Sequence, residues 1–241
     1  MSSNNPMNFT IETLAPYFDH TALKAETTAR DIEKLCGEAD EYGMATVCVN
    51  PVWIPLAAKL LSASPVVPIT VVGFPLGATG TLTKVYEARH AIDQGAKEID
   101  MVLSVGELKS GDHDAVRADI GAVKRACGDI PLKVIFETSL LTADEIRMVA
   151  RWCAEDSVDF VKTSTGFGSR GAGVDDIAIM REAIASVSGS MTRIKASGGI
   201  RDLKTTLRMI EAGADRIGAS ASVQILREIS GDMPARPVSV Y

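Results

Sequence analysis

Lys162 and Lys195 each stand near the end of a short apolar run and are followed by small hydroxyl residues and glycines, in FVKTSTGF (160–167) and IKASGGIR (194–201). A lysine in water is protonated and has no lone pair to offer a carbonyl carbon. It titrates near ~10.4, and bringing it to ~7–8 takes about 4 kcal/mol, within reach of burial plus a neighbouring cation. If the two runs are adjacent strands, about 4.8 Å apart, and both amines point the same way, each disfavours the other's charge. One amine of such a pair becomes able to form an imine with a carbonyl substrate. Taken singly, each lysine has an ordinary alternative, in which its stem lies on apolar surface and its ammonium meets water or an acidic partner. The pair is what favours chemistry.

Other strand ends carry polar groups too: Asp19, Cys48, Asp100 and Glu137. Side chains alternate along a strand, so Glu98 and Asp100 share a face, as do Lys133 and Glu137, or Phe160 and Lys162. Charges of both signs then meet in one place, either as structural ion pairs or as a site. Asp100 is positioned to pass protons across its mouth. A second signal is glycine-rich: KASGGIRD (195–202) and RIGASAS (216–222), with Gly166 in the turn after Lys162. Backbone N–H groups in such loops, next to a helix N-terminus, bind phosphate. Gly166, Gly198, Gly199, Gly218 and Ser220 are the candidates, against the plainer role of tight turns.

The elements that must hold these groups alternate from end to end. Apolar, β-branched runs at 17–20, 45–49, 68–72, 98–103, 132–136, 159–162, 192–196 and 215–218 read as strands, and amphipathic segments such as 31–42, 82–94, 143–154 and 174–187 read as helices. Gly43, Gly95 and Gly213 each stand where a helix ends and a strand begins, a place that suits a left-handed glycine. Their spacing fits whole βα units of an eight-unit barrel of ~250 residues. No Pro- or Ser-rich linker divides the chain. The expected fold is a single-domain (β/α)8 TIM barrel over residues 1–241, with 1–10 a frayed leader and 231–241 a flexible tail. An open doubly wound sheet is the second reading.

Bulk properties narrow the function. A net charge of −6 with no basic run argues against nucleic acid. No apolar run is long enough to span a bilayer, and MSSNNPMNFT lacks the features of a signal peptide, so a cytoplasmic protein with no membrane partner is expected. Cys36, Cys48, Cys127 and Cys153 form no CxxC pair, and His20, His90 and His113 are scattered. Reduced, mostly buried thiols, no metal site and no cofactor follow.

GFPLGATGTLTKVYEARHAIDQGAKEIDMV, FVKTSTGF and IKASGGIR resemble the deoxyribose-phosphate aldolases, class I lyases that cleave 2-deoxyribose 5-phosphate. The likeness runs from Phe18 to Ser222, with its motifs in order. It implies that Lys162 forms the Schiff base, that Lys195 lowers its pKa and that Asp100 is the proton-relay acid/base. It also implies that Cys48 and Asp19 line the site, that a phosphosugar in deoxyribonucleoside breakdown is the substrate, and that the protein is a homodimer. Three departures stand out. Ser104 replaces a frequent Asn, Ala221 replaces the second of two serines, and Arg170 is a cation where a small or polar residue is expected. Arg170 is expected to point to solvent rather than to the phosphate. Tyr241 either reaches the site or lies in the tail. A phosphosugar isomerase or a non-catalytic phosphosugar-binding module are the rival readings, but neither uses an imine-forming lysine beside a second lysine and Asp100.

Overall fold

The computed structural model describes residues 8–231. In chain order these form α1 (Ile11–Leu14), β1 (Phe18–Ala22), α2 (Ala29–Tyr42), β2 (Thr46–Val49), α3 (Ile54–Leu60), β3 (Val67–Val72), α4 (Thr81–Asp93), β4 (Glu98–Val102), α5 (Val105–Lys109) and α6 (His113–Cys127). They continue with β5 (Leu132–Ile135), α7 (Ala143–Glu155), β6 (Phe160–Lys162), α8 (Val174–Ala185), β7 (Arg193–Ser197), α9 (Leu203–Glu211), β8 (Arg216–Ala219) and α10 (Ser222–Ser230). The strands pair in parallel in sequence order, and β1 pairs with β8 through Phe18↔Ile217, Asp19↔Gly218 and His20↔Ala219. The sheet is therefore a closed barrel, not the open sheet of the second reading.

Local sequence sets the helix limits. Thr28 with Asp31, and Thr142 with Glu145, form capping boxes that satisfy the first N–H groups of α2 and α7. In α2 the buried residues Ile32, Leu35, Cys36 and Ala39 recur at the spacing of one helical face. Gly43 ends that helix in the left-handed region at φ 69°. Gly95 and Gly213 also have positive φ, and a Cβ on either would stand 2.8 Å from Ala58 or 2.9 Å from Arg181. Phe9 packs against Tyr17, and Thr10 caps α1. The end of the stretch expected to be a frayed leader is therefore packed and capped.

Alternation along the strands separates two environments. Ile99, Met101, Val134, Phe136, Ile194, Ala196 and Ile217 join the helices in one apolar sleeve around the barrel. Inside, a smaller apolar cluster of Leu23, Cys48, Ile69 and Val71, with Phe74 packed against it, sits apart from that sleeve. Much of the remaining interior is ionic, and it forms the candidate site.

Candidate active site

Strand register brings the two lysines together. Lys162 and Lys195 are directly paired across β6 and β7, Lys195 pairs with Arg216 of β8, and Asp100 of β4 pairs with Lys133 of β5. Residues in register on parallel strands face the same side of a sheet. Asp100 then lies between the amines: its Oδ2 accepts from Lys162 Nζ at 2.7 Å and from Lys195 Nζ at 2.8 Å, while its Oδ1 accepts from Lys133 Nζ at 2.9 Å. Lys195 also makes an ion pair with Asp19, whose other oxygen accepts from Arg216 at 2.7 Å. Lys133 pairs in turn with Glu98, and Arg216 approaches Glu98 at 3.8 Å. Asp19, Asp100, Lys133 and Lys195 are fully buried, and Lys162 is 3% exposed.

These contacts treat the lysines differently. Burial is the largest influence on Lys162; Asp100 works against it, the Lys195 ammonium adds to it, and the net effect lowers the pKa. Burial also opposes charge on Lys195, but Asp100 and Asp19 outweigh it and hold that amine protonated. Lys133 is held likewise by Asp100 and Glu98 against its burial. Asp100 would be raised by burial, yet Lys133, Lys162 and Lys195 bring it well below the usual carboxylate range. Asp19 is likewise lowered, burial being outweighed by Lys195 and Arg216. The named interior groups are Asp19, Glu98 and Asp100 against Lys133, Lys162, Lys195 and Arg216. Three carboxylates balance three cations, so charge balance is reached when one amine is neutral. Arginine cannot be that group. Lys162 has one carboxylate partner where the other lysines have two, so its charge is the least supported of the three.

Above this floor lie the turns after β6, β7 and β8. Gly166 (φ 90°), Gly198 (φ 86°) and Gly199 (φ 74°) adopt conformations that side chains disfavour. A Cβ on Gly198 would lie 3.5 Å from Gly166 Cα, so the turns after β6 and β7 touch. At Gly218 a Cβ would stand 3.0 Å from both Lys195 Cε and Ser197 Cβ, which explains glycine there without any appeal to φ. Among the described residues the N–H groups of Gly166, Gly198, Gly199 and Ser220 have no hydrogen-bond acceptor. Ser220 is exposed and lies two residues before α10, whose first-turn N–H groups have no side-chain cap. Ala221 removes a hydroxyl but leaves its backbone donor. Free backbone donors of this kind suit an anion.

Cys48 is buried inside the barrel, and burial raises its thiol pKa. Ser104 begins α5 and its side chain caps nothing. Arg170 is solvent-exposed, as expected, and it is also anchored. It pairs with Asp176 and donates to the Thr138 carbonyl at 2.9 Å, because its loop folds back on the start of α8. Tyr241 lies outside the described residues. Among the described residues no group of three or more His, Cys, Asp or Glu side chains is placed to hold a metal ion, and no helix is long and apolar enough to cross a membrane. A cavity of about 560 Å³ lies on the outer wall between α7 and α8, lined by Arg147, Arg151 and Trp152 among others. It holds solvated ion pairs and is remote from the lysines. Lys133 and Arg216 are the site neighbours that sequence reading left unassigned. Alternation puts Lys133 on the same face as Glu137, while nothing in the pattern assigns Arg216.

Comparison with known proteins agrees with this geometry. The sequence model of the DeoC/LacD family aldolases matches residues 13–229. The chain is 54% identical over 214 residues to the deoxyribose-phosphate aldolase of Mannheimia succiniciproducens, covering 89% of this chain and 94% of that protein. It is 52% identical over 210 residues to that of Brevibacillus brevis, covering 87% and 93%. The tetrameric deoxyribose phosphate aldolase of Aeropyrum pernix shares the fold with a TM-score of 0.84 at 30% identity, over 92% of each chain.

Proposed function

Since the chain belongs to the DeoC/LacD family of aldolases, we propose that it cleaves 2-deoxyribose 5-phosphate reversibly to acetaldehyde and glyceraldehyde 3-phosphate, through an imine on Lys162. The observation that carries this reading is the charge balance of the interior, which favours a neutral amine at Lys162 and cations at Lys195 and Lys133.

The steps follow from the residues present. The neutral Lys162 amine adds to C1 of the open-chain sugar, and loss of water leaves a protonated imine. That cation draws electrons from the C2–C3 bond once the C3 hydroxyl gives up its proton. The bond breaks, glyceraldehyde 3-phosphate departs, and C1–C2 remains on Lys162 as an enamine. Protonation at C2 and hydrolysis then release acetaldehyde and the free amine. Asp100 is the proton relay of this scheme, since one of its oxygens accepts from both Lys162 and Lys195. Lys195 keeps a cation beside the nucleophile and so favours the neutral amine. Asp19 and Cys48 line the barrel beneath. The phosphate occupies the free N–H groups of Gly166, Gly198, Gly199 and Ser220, with Gly218 leaving room for the Lys195 stem.

We extend the proposal to one barrel unit for the whole chain, a homodimer, and a role in deoxyribonucleoside breakdown in the cytoplasm, where a phosphorylated sugar is retained by its charge. The test is direct: purified protein with 2-deoxyribose 5-phosphate should release acetaldehyde. A protein that instead isomerises the sugar without releasing acetaldehyde, or only binds it, refutes the reading.

A further inference from the structure

Glu137, directly after β5, has no part in the chemistry above. It is 5% exposed, and its carboxylate is engaged by neutral donors. Oε2 accepts the Thr165 N–H at 3.2 Å and the Thr165 hydroxyl in a closer bond, and Oε1 accepts the Ser139 hydroxyl at 3.1 Å. Its backbone is left-handed, at φ 53° and ψ 66°, which a residue with a side chain disfavours. Surrounding bonds hold it there: the next residue, Thr138, donates its N–H to Thr163 at 3.0 Å and its hydroxyl to Asp176 at 2.8 Å. A strained residue kept in place by its neighbours often marks a site whose shape matters.

The carboxylate shapes the turn after Lys162 from beneath. Thr165 donates two hydrogen bonds to it, and the Phe167 N–H turns back to donate to the Thr165 hydroxyl at 3.0 Å. The N–H groups on both sides of Gly166 are thus engaged, and between them the Gly166 N–H is left without an acceptor among the described residues. The turn also sits tightly on Glu137, since a Cβ on Gly168 would stand 2.6 Å from Oε1. We propose that Glu137 is the positioning residue of this turn, holding the Gly166 N–H toward the substrate's phosphate through a shared acceptor for both Thr165 donors. The inference rests on the function proposed above.

Its test uses the full-length protein. Glu137→Asn keeps a residue that tolerates the left-handed backbone but shortens the side chain below the reach of Thr165. Glu137→Gln keeps the reach and one acceptor oxygen. Loss of a hydrogen bond to a charged group corresponds to about tenfold or more in binding. Glu137→Asn should therefore raise KM for 2-deoxyribose 5-phosphate by at least about tenfold, with kcat, and cleavage of unphosphorylated 2-deoxyribose, within about threefold of wild type. Glu137→Gln should recover most of the KM. Thr165→Val should give the same selective rise, and the double variant should be less than additive. Equal loss on both sugars, or an unchanged KM, overturns the proposal. If Glu137→Asn does not fold, the Thr165→Val comparison decides on the same criteria. Wild-type activity keeps the two claims apart: failure of wild type to cleave the phosphosugar refutes the functional reading, whereas an active wild type with an unaffected Glu137→Asn refutes this inference alone.

Discussion

Replacing Lys195 by methionine removes the cation beside Lys162 while filling nearly the same space. Both amines donate to Oδ2 of Asp100, at 2.7 and 2.8 Å, so their nitrogens stand at most about 5.5 Å apart. At an effective dielectric constant of about 20, two unit charges at ~5.5 Å repel by about 3 kcal/mol, or about two pKa units. Removing Lys195 also leaves Asp19, Glu98 and Asp100 facing only Lys133, Lys162 and Arg216, so a protonated Lys162 then completes the balance. Both effects have the same sign. In Lys195→Met the Lys162 pKa should rise by about two units, and imine formation near neutral pH should fall by about a hundredfold. The assay is the rate of acetaldehyde trapping by cyanoborohydride as a function of pH, with circular dichroism to show that the variant is folded. The rising limb of the profile should move upward by about two units, with the rate recovering at high pH. A folded variant whose limb stays in place, or moves to lower pH, refutes the electrostatic account of Lys195.

Other consequences are testable in the same way. Lys162→Met removes a buried amine whose pKa is depressed in the fold. Such a group binds its proton more tightly when unfolded, so it costs stability below its folded pKa and the cost fades as pH rises past lysine's ordinary value. The variant should be inactive yet melt higher than wild type at neutral pH, by about 2–4 °C per kcal/mol, and the difference should shrink toward zero above the ordinary lysine pKa of 10.5. A variant that melts lower at neutral pH, or a gain that grows with pH, contradicts a depressed Lys162. Gly199→Asp should raise KM for 2-deoxyribose 5-phosphate far more than for 2-deoxyribose, because a carboxylate then faces the phosphate beside Gly198. Parallel loss on both sugars in a folded variant points instead to a structural glycine.

The barrel was legible because its punctuation has physical causes that act locally. Gly43, Gly95 and Gly213 mark helix-to-strand joins that need positive φ, and alternation marks which strand residues look inward. Lys162 and Lys195 were legible for a related reason, as cations within otherwise apolar runs. Their partners were less so. Alternation gives the face a residue occupies but not its neighbour across the barrel, so Lys133 could be placed inside without its bonds to Glu98 and Asp100. Arg216 drew no assignment because the closure of β8 onto β1, which brings it to Asp19, is a contact between the first and last strands. Arg170 is exposed as expected, but its pairing with Asp176 was not foreseen, because it depends on the path of a glycine-rich loop, which no periodicity reports. Strand limits were slightly overextended at β4, which ends at Val102, and β6 is only Phe160–Lys162.

The central claim is the identity of the nucleophile, and peptide mapping tests it most directly. Protein incubated with acetaldehyde and reduced with borohydride during turnover should carry one ethyl group, on the peptide containing Lys162. Lys162→Arg should abolish both the adduct and cleavage, since a guanidinium stays charged and forms no imine. An ethyl group on Lys195, absent from Lys162, contradicts the account.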